Sequence, residues 1–122
     1  MRLIDIPGGA TESVDNNWIG IIVKVESLKV PYSDVLYIEQ IGAILHIIRD
    51  EDILKIPGRM SDLSKILRAP FSQSHSYLMV NFDRVYSMTK GQIVFDNKKE
   101  KYIGKDSFTK TRKRFNQYLL GE

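Results

Sequence analysis

No cysteine occurs among the 122 residues. That excludes disulfides, thiolate metal sites and cysteine nucleophiles together, and it suits a reducing, cytoplasmic setting. Histidine is nearly absent too. His46 and His75 stand too far apart for a His-x-x-x-His metal pair. Long apolar runs are missing: Ile19 to Val25 is far shorter than a bilayer span. Met1 to Ile6 lacks the apolar stretch of a signal peptide. The expectation is therefore no membrane insertion. Phosphate-loop chemistry is missing as well, since Gly104-Lys105 lacks the upstream glycine and the following Ser or Thr. There is no Gly-x-Ser-x-Gly elbow. Asp50-Glu51-Asp52 lacks the spaced ligands of a cation loop and reads as a hairpin turn and solubilising edge. An enzyme is not expected, nor a cofactor or a bound metal.

What is present fits one globular domain. Hydrophobic residues make up 43% and charged residues 27%, enough to bury a core without staples. The net charge of +3 hides an asymmetry. Lys98 to Arg114 holds eight basic and two acidic residues, a surplus of +6, while the remainder carries −3. A mildly acidic body with a basic C-terminal edge would turn that edge toward a polyanion. Taken alone, the same run could be a solvated helix face.

Residues 1–17, with Pro7-Gly8-Gly9 followed by polar residues, read as an N-terminal arm or linker remnant ahead of a domain over 18–122. From Trp18 the period is two: Ile19, Ile21, Val23 and Val25 share one strand face, with Lys24 and Glu26 on the other. Pro31 to Asp34 breaks that run. Further strands are expected at Val35–Glu39, Ala43–Arg49 and Ile53–Ile56, with Gln40-Ile41-Gly42 as a connection. Met60, Leu63, Ile66 and Leu67 form a helical stripe, with Ser61 as N-cap and Pro70 as stop. The stretch Phe71 to Asn81 puts a polar turn carrying His75 directly before a short apolar strand that ends in Asn81. Strands are then expected at Tyr77–Val80, Arg84–Met88, Gln92–Phe95 and Lys101–Ile103. Lys90-Gly91 and Asp96-Asn97-Lys98 are turns. A final helix from about Ser107 to Leu120 would put Phe108, Thr111, Phe115, Tyr118 and Leu119 on one face, with Gly121 ending it. The sum is a mostly β chain, α+β by strict count, with seven or eight short strands and two helices.

This order of parts resembles the LytTR (LytR/AgrA-type) DNA-binding domains of bacterial transcriptional regulators. The resemblance runs from Val30 to about Leu119. Val30 to Glu39 is similar to the family's opening, and Pro57 to Leu63 to its glycine-then-helix step. His75 to Asn81 is similar to its His-x-Ser-x-x-Val-Asn stretch, and Gln92 to Asn97 to the strand and turn before its last strand. The resemblance implies an elongated arrangement of short antiparallel β-sheets with two helices. It also implies loops, rather than a recognition helix, inserted into successive major grooves of double-stranded DNA. Promoter repeats bound as a homodimer, and a receiver domain of a two-component response regulator ahead of the DNA-binding domain, are expectations of the same kind.

Carried over position by position, the resemblance points to Arg59, Ser61, His75, Ser76, Lys105, Ser107 and Lys110 as DNA-binding residues. Arg59 and Ser61 fall where the family meets phosphate. Ser76 could read a base edge or bond phosphate, Lys105 and Lys110 could pair with phosphate, and His75 is expected mainly to hold its turn. The chain departs from the family at Ala43, where a long polar residue is usual, at Ser76 and Tyr77, and at Asp106, where Arg is usual. Asp106 reads best as a helix cap. Two of three usual base readers are lost and the third is shortened. The alternative reading is therefore a protein-interaction module on the same fold, presenting the apolar stretch Ile41 to Ile48.

Overall fold

A computed structural model of the chain describes residues 17–23 and 26–122. The N-terminal arm up to residue 16 and the strand positions of Lys24 and Val25 lie outside the described residues. Ten strands and two α-helices follow in order. They are β1 (Trp18–Val23), β2 (Glu26–Pro31), β3 (Val35–Ile41), β4 (Ile44–Arg49), β5 (Ile53–Pro57), α1 (Met60–Leu63), β6 (Phe71–His75), β7 (Leu78–Asn81), β8 (Val85–Thr89), β9 (Gln92–Phe95), β10 (Glu100–Tyr102) and α2 (Lys105–Leu119). Short 3-10 turns at Tyr32–Asp34 and Phe82–Arg84 lead into β3 and β8.

The strands form an antiparallel five-stranded sheet in the order β5-β4-β3-β7-β6, a three-stranded sheet β10-β9-β8 and the hairpin β1-β2. The five-stranded sheet is buried on both faces. Its inner strand β7, between β3 and β6, reads Leu78-Met79-Val80, a continuous apolar run that suits burial on both sides. Met79 joins one cluster with Ile19, Ile21 and Val30 of the hairpin, Ile38, Leu45 and Ile47 of the sheet, and Met60 and Leu63 of α1. Leu78 and Val80 face the other way, toward Met88, Ile93 and Phe95 of the small sheet and Phe115 of α2. The period-two alternation of side chains thus sorts one strand's residues into two cores.

Several sequence expectations are corrected. The run from Trp18 is not one strand but a hairpin. Leu28 and Val30 of β2 pack inward beside Ile19 and Ile21. The strand of Val35–Glu39 continues through Gln40 and Ile41 to a two-residue turn, Gly42-Ala43. Gly42 takes φ +63 there, a backbone conformation that costs glycine least. Phe71 to His75 is not a turn but the edge strand β6, with only Ser76-Tyr77 as its turn to β7. The strand count is ten among the described residues, not seven or eight.

Helix α1 is a single turn. Its apolar stripe packs as expected, Ile66 and Leu67 included, but just beyond Leu63 the backbone tightens to i→i−3 bonds, Lys65 N to Asp62 O and Ile66 N to Leu63 O, before Leu67 N closes a last i→i−4 bond to Leu63 O. The Ser64 hydroxyl competes for the Ser61 carbonyl at 3.2 Å. Ser61 is not the N-cap: that position is Arg59, with no side-chain bond of its own. The cap is supplied from β3, where Gln40 Oε1 accepts the Met60 N–H at 2.7 Å.

Helix α2 starts at Lys105, two residues earlier than the sequence suggests, with Gly104 as N-cap. Asp106 lies in its first turn and makes no capping bond, so its role is charge at the positive helix end. Phe115 and Thr111 are buried, whereas Leu119 is 65% exposed and leaves the shared apolar face. At the far end Gly121 takes φ +78, and bonds from Gly121 N to Tyr118 O and Glu122 N to Gln117 O close the helix as expected. The Tyr118 hydroxyl donates to Asp83, a bond that pushes the phenol up to about 12.

Candidate nucleic-acid interface

Antiparallel pairing decides which loops meet. Ile41 pairs with Ile44, Ile44 with Pro57, and Glu39 with Leu78. The β3–β4 turn, the exit of β5 into α1 and the β6–β7 turn therefore emerge at one end of the five-stranded sheet. They form an open cleft lined by Gln40, Gly42, Ala43, Arg59, Ser61, Ser76 and Tyr77. Three predicted residues, Arg59, Ser61 and Ser76, are thus brought together from segments 15 or more positions apart in sequence. All three are exposed. The Arg59 side chain has no partner among the described residues, so its guanidinium is available to an anion.

His75 is half-buried and takes the role expected of it. Its Nδ1 accepts the Tyr77 N–H at 3.2 Å, and Gln40 N donates to the Tyr77 carbonyl at 2.9 Å. The turn is held from both sides, while the Tyr77 ring remains 55% exposed. Gln40 is committed internally. Its Nε2 donates to Gly42 O at 2.8 Å, and its Oε1 caps α1. One side chain thereby joins two walls of the cleft. Gln40→Leu is expected to cost about 1–2 kcal/mol, the sum of a lost cap and a lost turn bond. Urea denaturation would check this as a lower midpoint with an unchanged slope.

Helix α2 brings the remaining residues to the same end. The Arg114 guanidinium donates to Gln73 O and to Ser72 Oγ, and the buried hydroxyls of Ser74 and Thr111 bond at 2.7 Å. Moving toward the helix start follows β6 toward its turn, so Ser107 and Lys110 lie on the side of Ser76. Lys105 lines a neighbouring depression with Lys90 and Gly91 of the β8–β9 turn. Lys90 and Gly91, at φ +49 and +82, make the tight turn that the Lys-Gly pair suggested. Lys90 itself was not singled out by sequence, because one lysine in a hairpin turn carries no signal.

The basic C-terminal edge is divided rather than continuous. Lys98 and Lys99 lie in the β9–β10 turn, at the opposite end of their sheet from Lys90-Gly91. Lys101 pairs with Glu39 at 2.8 Å and sits 5.5 Å from the Tyr37 ring centre. Arg114 is spent on β6. The cations of this segment left to the cleft end are those of the first half of α2, led by Lys105 and Lys110.

The acidic turn is likewise more than a solubilising edge. Arg84 binds Asp50 and Asp96, each at 2.7 Å, and donates to Ser33 O at 2.7 Å. Arg49 holds Asp52 at 2.6 Å. These pairs keep the Asp50 and Asp52 carboxyls below the usual range. They sit at the other end of β4 from the Gly42-Ala43 turn, so the acidic charge is tied down far from the cleft. Among the described residues no group of three or more His, Cys, Asp or Glu could hold a metal. No helix there is long and apolar enough to cross a membrane.

The fold is similar to a solved LytTr DNA-binding domain of a methyl-accepting/DNA response regulator from Bacillus cereus. The two share 15% identity with a TM-score of 0.64, over 82% of this chain and 96% of that one. No curated protein matches the chain. The profile of the LytTr DNA-binding domain family matches residues 26–116, from the first residue of β2 into the last turns of α2. The chain belongs to the LytTr DNA-binding domain family.

Proposed function

We propose that this chain binds double-stranded DNA sequence-specifically, as the output domain of a bacterial, cytoplasmic response regulator. In this reading the cleft end inserts its turns into the major groove, and a homodimer spans two promoter repeats. The observation that carries it is the convergence of Arg59, Ser61 and Ser76 in one exposed cleft, with Lys105 and Lys110 on the adjoining helix. Arginine, lysine and hydroxyl groups are the usual phosphate ligands, and phosphate contacts fix register before any base is read. Ser107, in the first turn of α2, adds a hydroxyl beside Lys105. His75 acts by holding the turn that carries Ser76.

The competing interaction-module reading rests on the lost base readers and on the apolar stretch Ile41 to Ile48. In the fold Leu45 and Ile47 are fully buried, and of the large apolar side chains there Ile41 alone is largely exposed, beside the small Ala43. That surface is too small to favour a protein partner over DNA.

Selection from a random duplex pool, followed by affinity across salt, tests the proposal. An enriched pair of short repeats and a steep salt slope are expected. Lys105→Ala and Lys110→Ala should each flatten the slope by about one unit and weaken all sequences alike. Affinity independent of salt, or no enriched sequence, would refute it.

A further inference from the structure

Arg59 apart, which stands at the start of α1 and is given to phosphate in the reading above, the cleft is poor in groups that could hydrogen-bond a base edge in pairs. Gln40 is the side chain there that could pair with adenine, yet both its amide atoms are used inside the protein. Position 43 offers only a methyl group, and position 76 a single hydroxyl. What the cleft does offer is an apolar, aromatic surface at its rim. Tyr77 is 55% exposed, its hydroxyl has no partner among the described residues, and its backbone is pinned on both sides by His75 and Gln40. A ring on a fixed turn loses little freedom on binding, since it has only two side-chain torsions.

Resting on the DNA-binding reading above, we infer that Tyr77 is a specificity-determining residue that reads thymine through its 5-methyl group. The methyl is the one apolar feature a base pair displays in the major groove. The Tyr77 ring and the Ala43 methyl supply the apolar contact, and Arg59, Ser61 and Ser76 bond the flanking phosphates. Discrimination here is by shape and desolvation rather than by paired hydrogen bonds.

The test replaces thymine by deoxyuridine, one position at a time, in the duplex that selection with the unaltered protein returns. Removing the methyl at the contacted position is expected to weaken binding about fourfold, the worth of one buried methyl-sized group. Tyr77→Phe should keep that sensitivity. Tyr77→Ser should bind the thymine duplex more weakly and lose the difference between thymine and uracil. Because the ring is exposed, folding of Tyr77→Ser, checked by circular dichroism, should be unchanged. If uracil costs the Tyr77→Ser protein as much as the unaltered one, or costs neither anything, the assignment of Tyr77 is wrong while DNA binding stands. If the unaltered protein enriches no duplex at all, the DNA-binding reading fails first and this assignment with it.

Discussion

Replacing Asn81 with Ala is expected to destabilise the fold by about 2–3 kcal/mol, because three backbone groups, two of them buried carbonyls, lose a hydrogen bond at once. Asn81 is fully buried at the end of β7. Its Nδ2 donates to Tyr32 O at 3.0 Å and to Val35 O at 2.8 Å. Its Oδ1 accepts the Asp83 N–H at 3.0 Å and so caps the 3-10 turn Phe82–Arg84. One amide thus ties the two 3-10 turns together and sets where β3 begins. Each unsatisfied group would cost about 1–3 kcal/mol, partly relieved by water entering the space left behind. Asn81→Asp makes a sharper test. It keeps the acceptor for Asp83 but turns a carboxylate oxygen toward two carbonyls. Burial and that clash would raise the carboxyl above the unfolded value of about 3.9. With the folded group binding its proton more tightly, stability falls as pH rises through that window. Denaturation of Asn81→Asp should therefore show a smaller loss at pH 4 than at pH 7. A loss that does not vary with pH would mean the amide hydrogens are not what holds the two carbonyls.

The sequence picked out Asn81 by its place after an apolar strand but could not say what it does, because its partners lie 46 and 49 positions away. The same limit explains most differences between expectation and fold. Strand β9 and the Lys90-Gly91 turn were legible, being set by local alternation and backbone preference. The stripe of Met60, Leu63, Ile66 and Leu67 was legible as packing, but not that its helix stops after one turn. Strand β6 was illegible because Ser72, Gln73 and Ser74 look like loop residues. They become strand residues only once α2 covers them and Thr111 meets Ser74. The β1–β2 pairing was hidden because no Gly, Asn or Asp stands between Val23 and Glu26 in the sequence. Of the candidate site, residue types and their placement near turns were legible. Their gathering at one end was not, since it depends on the register of five strands.

That register also separates the two kinds of work in the molecule. The cleft end carries side chains without internal partners, Arg59, Lys105 and Lys110 among them. The opposite end carries a network of side chains paired with one another. Arg84 is the centre of that opposite end, and its guanidinium serves Asp50, Asp96 and the Ser33 carbonyl, joining three turns. The division predicts that stability and DNA affinity can be altered independently.

Arg84→Met is accordingly expected to lower stability without changing the DNA affinity of the folded protein. The two carboxylates are nearly half exposed, so each ion pair is worth less than about 1 kcal/mol after screening. The charged bond to Ser33 O adds about 1.5 kcal/mol. A total near 2 kcal/mol corresponds to a fall of about 8 °C in the thermal midpoint for a domain this size. Arg84→Lys should recover less than half, because an ammonium cannot fork between two carboxylates and a carbonyl. The sign of the pH dependence follows from Asp50. Arg84 holds its carboxyl below the ordinary value of 3.8, chiefly by hydrogen bonding. The contribution is therefore complete above pH 3.8 and is lost as pH falls through the lower folded value. The gap between the unaltered protein and Arg84→Met should narrow below pH 3.8 yet not close, since the bond to Ser33 O does not titrate. A gap of equal size at pH 7 and pH 3 would assign the whole effect to that carbonyl. A matching loss of DNA affinity at temperatures where Arg84→Met is fully folded would show that the two ends of the sheet are not independent.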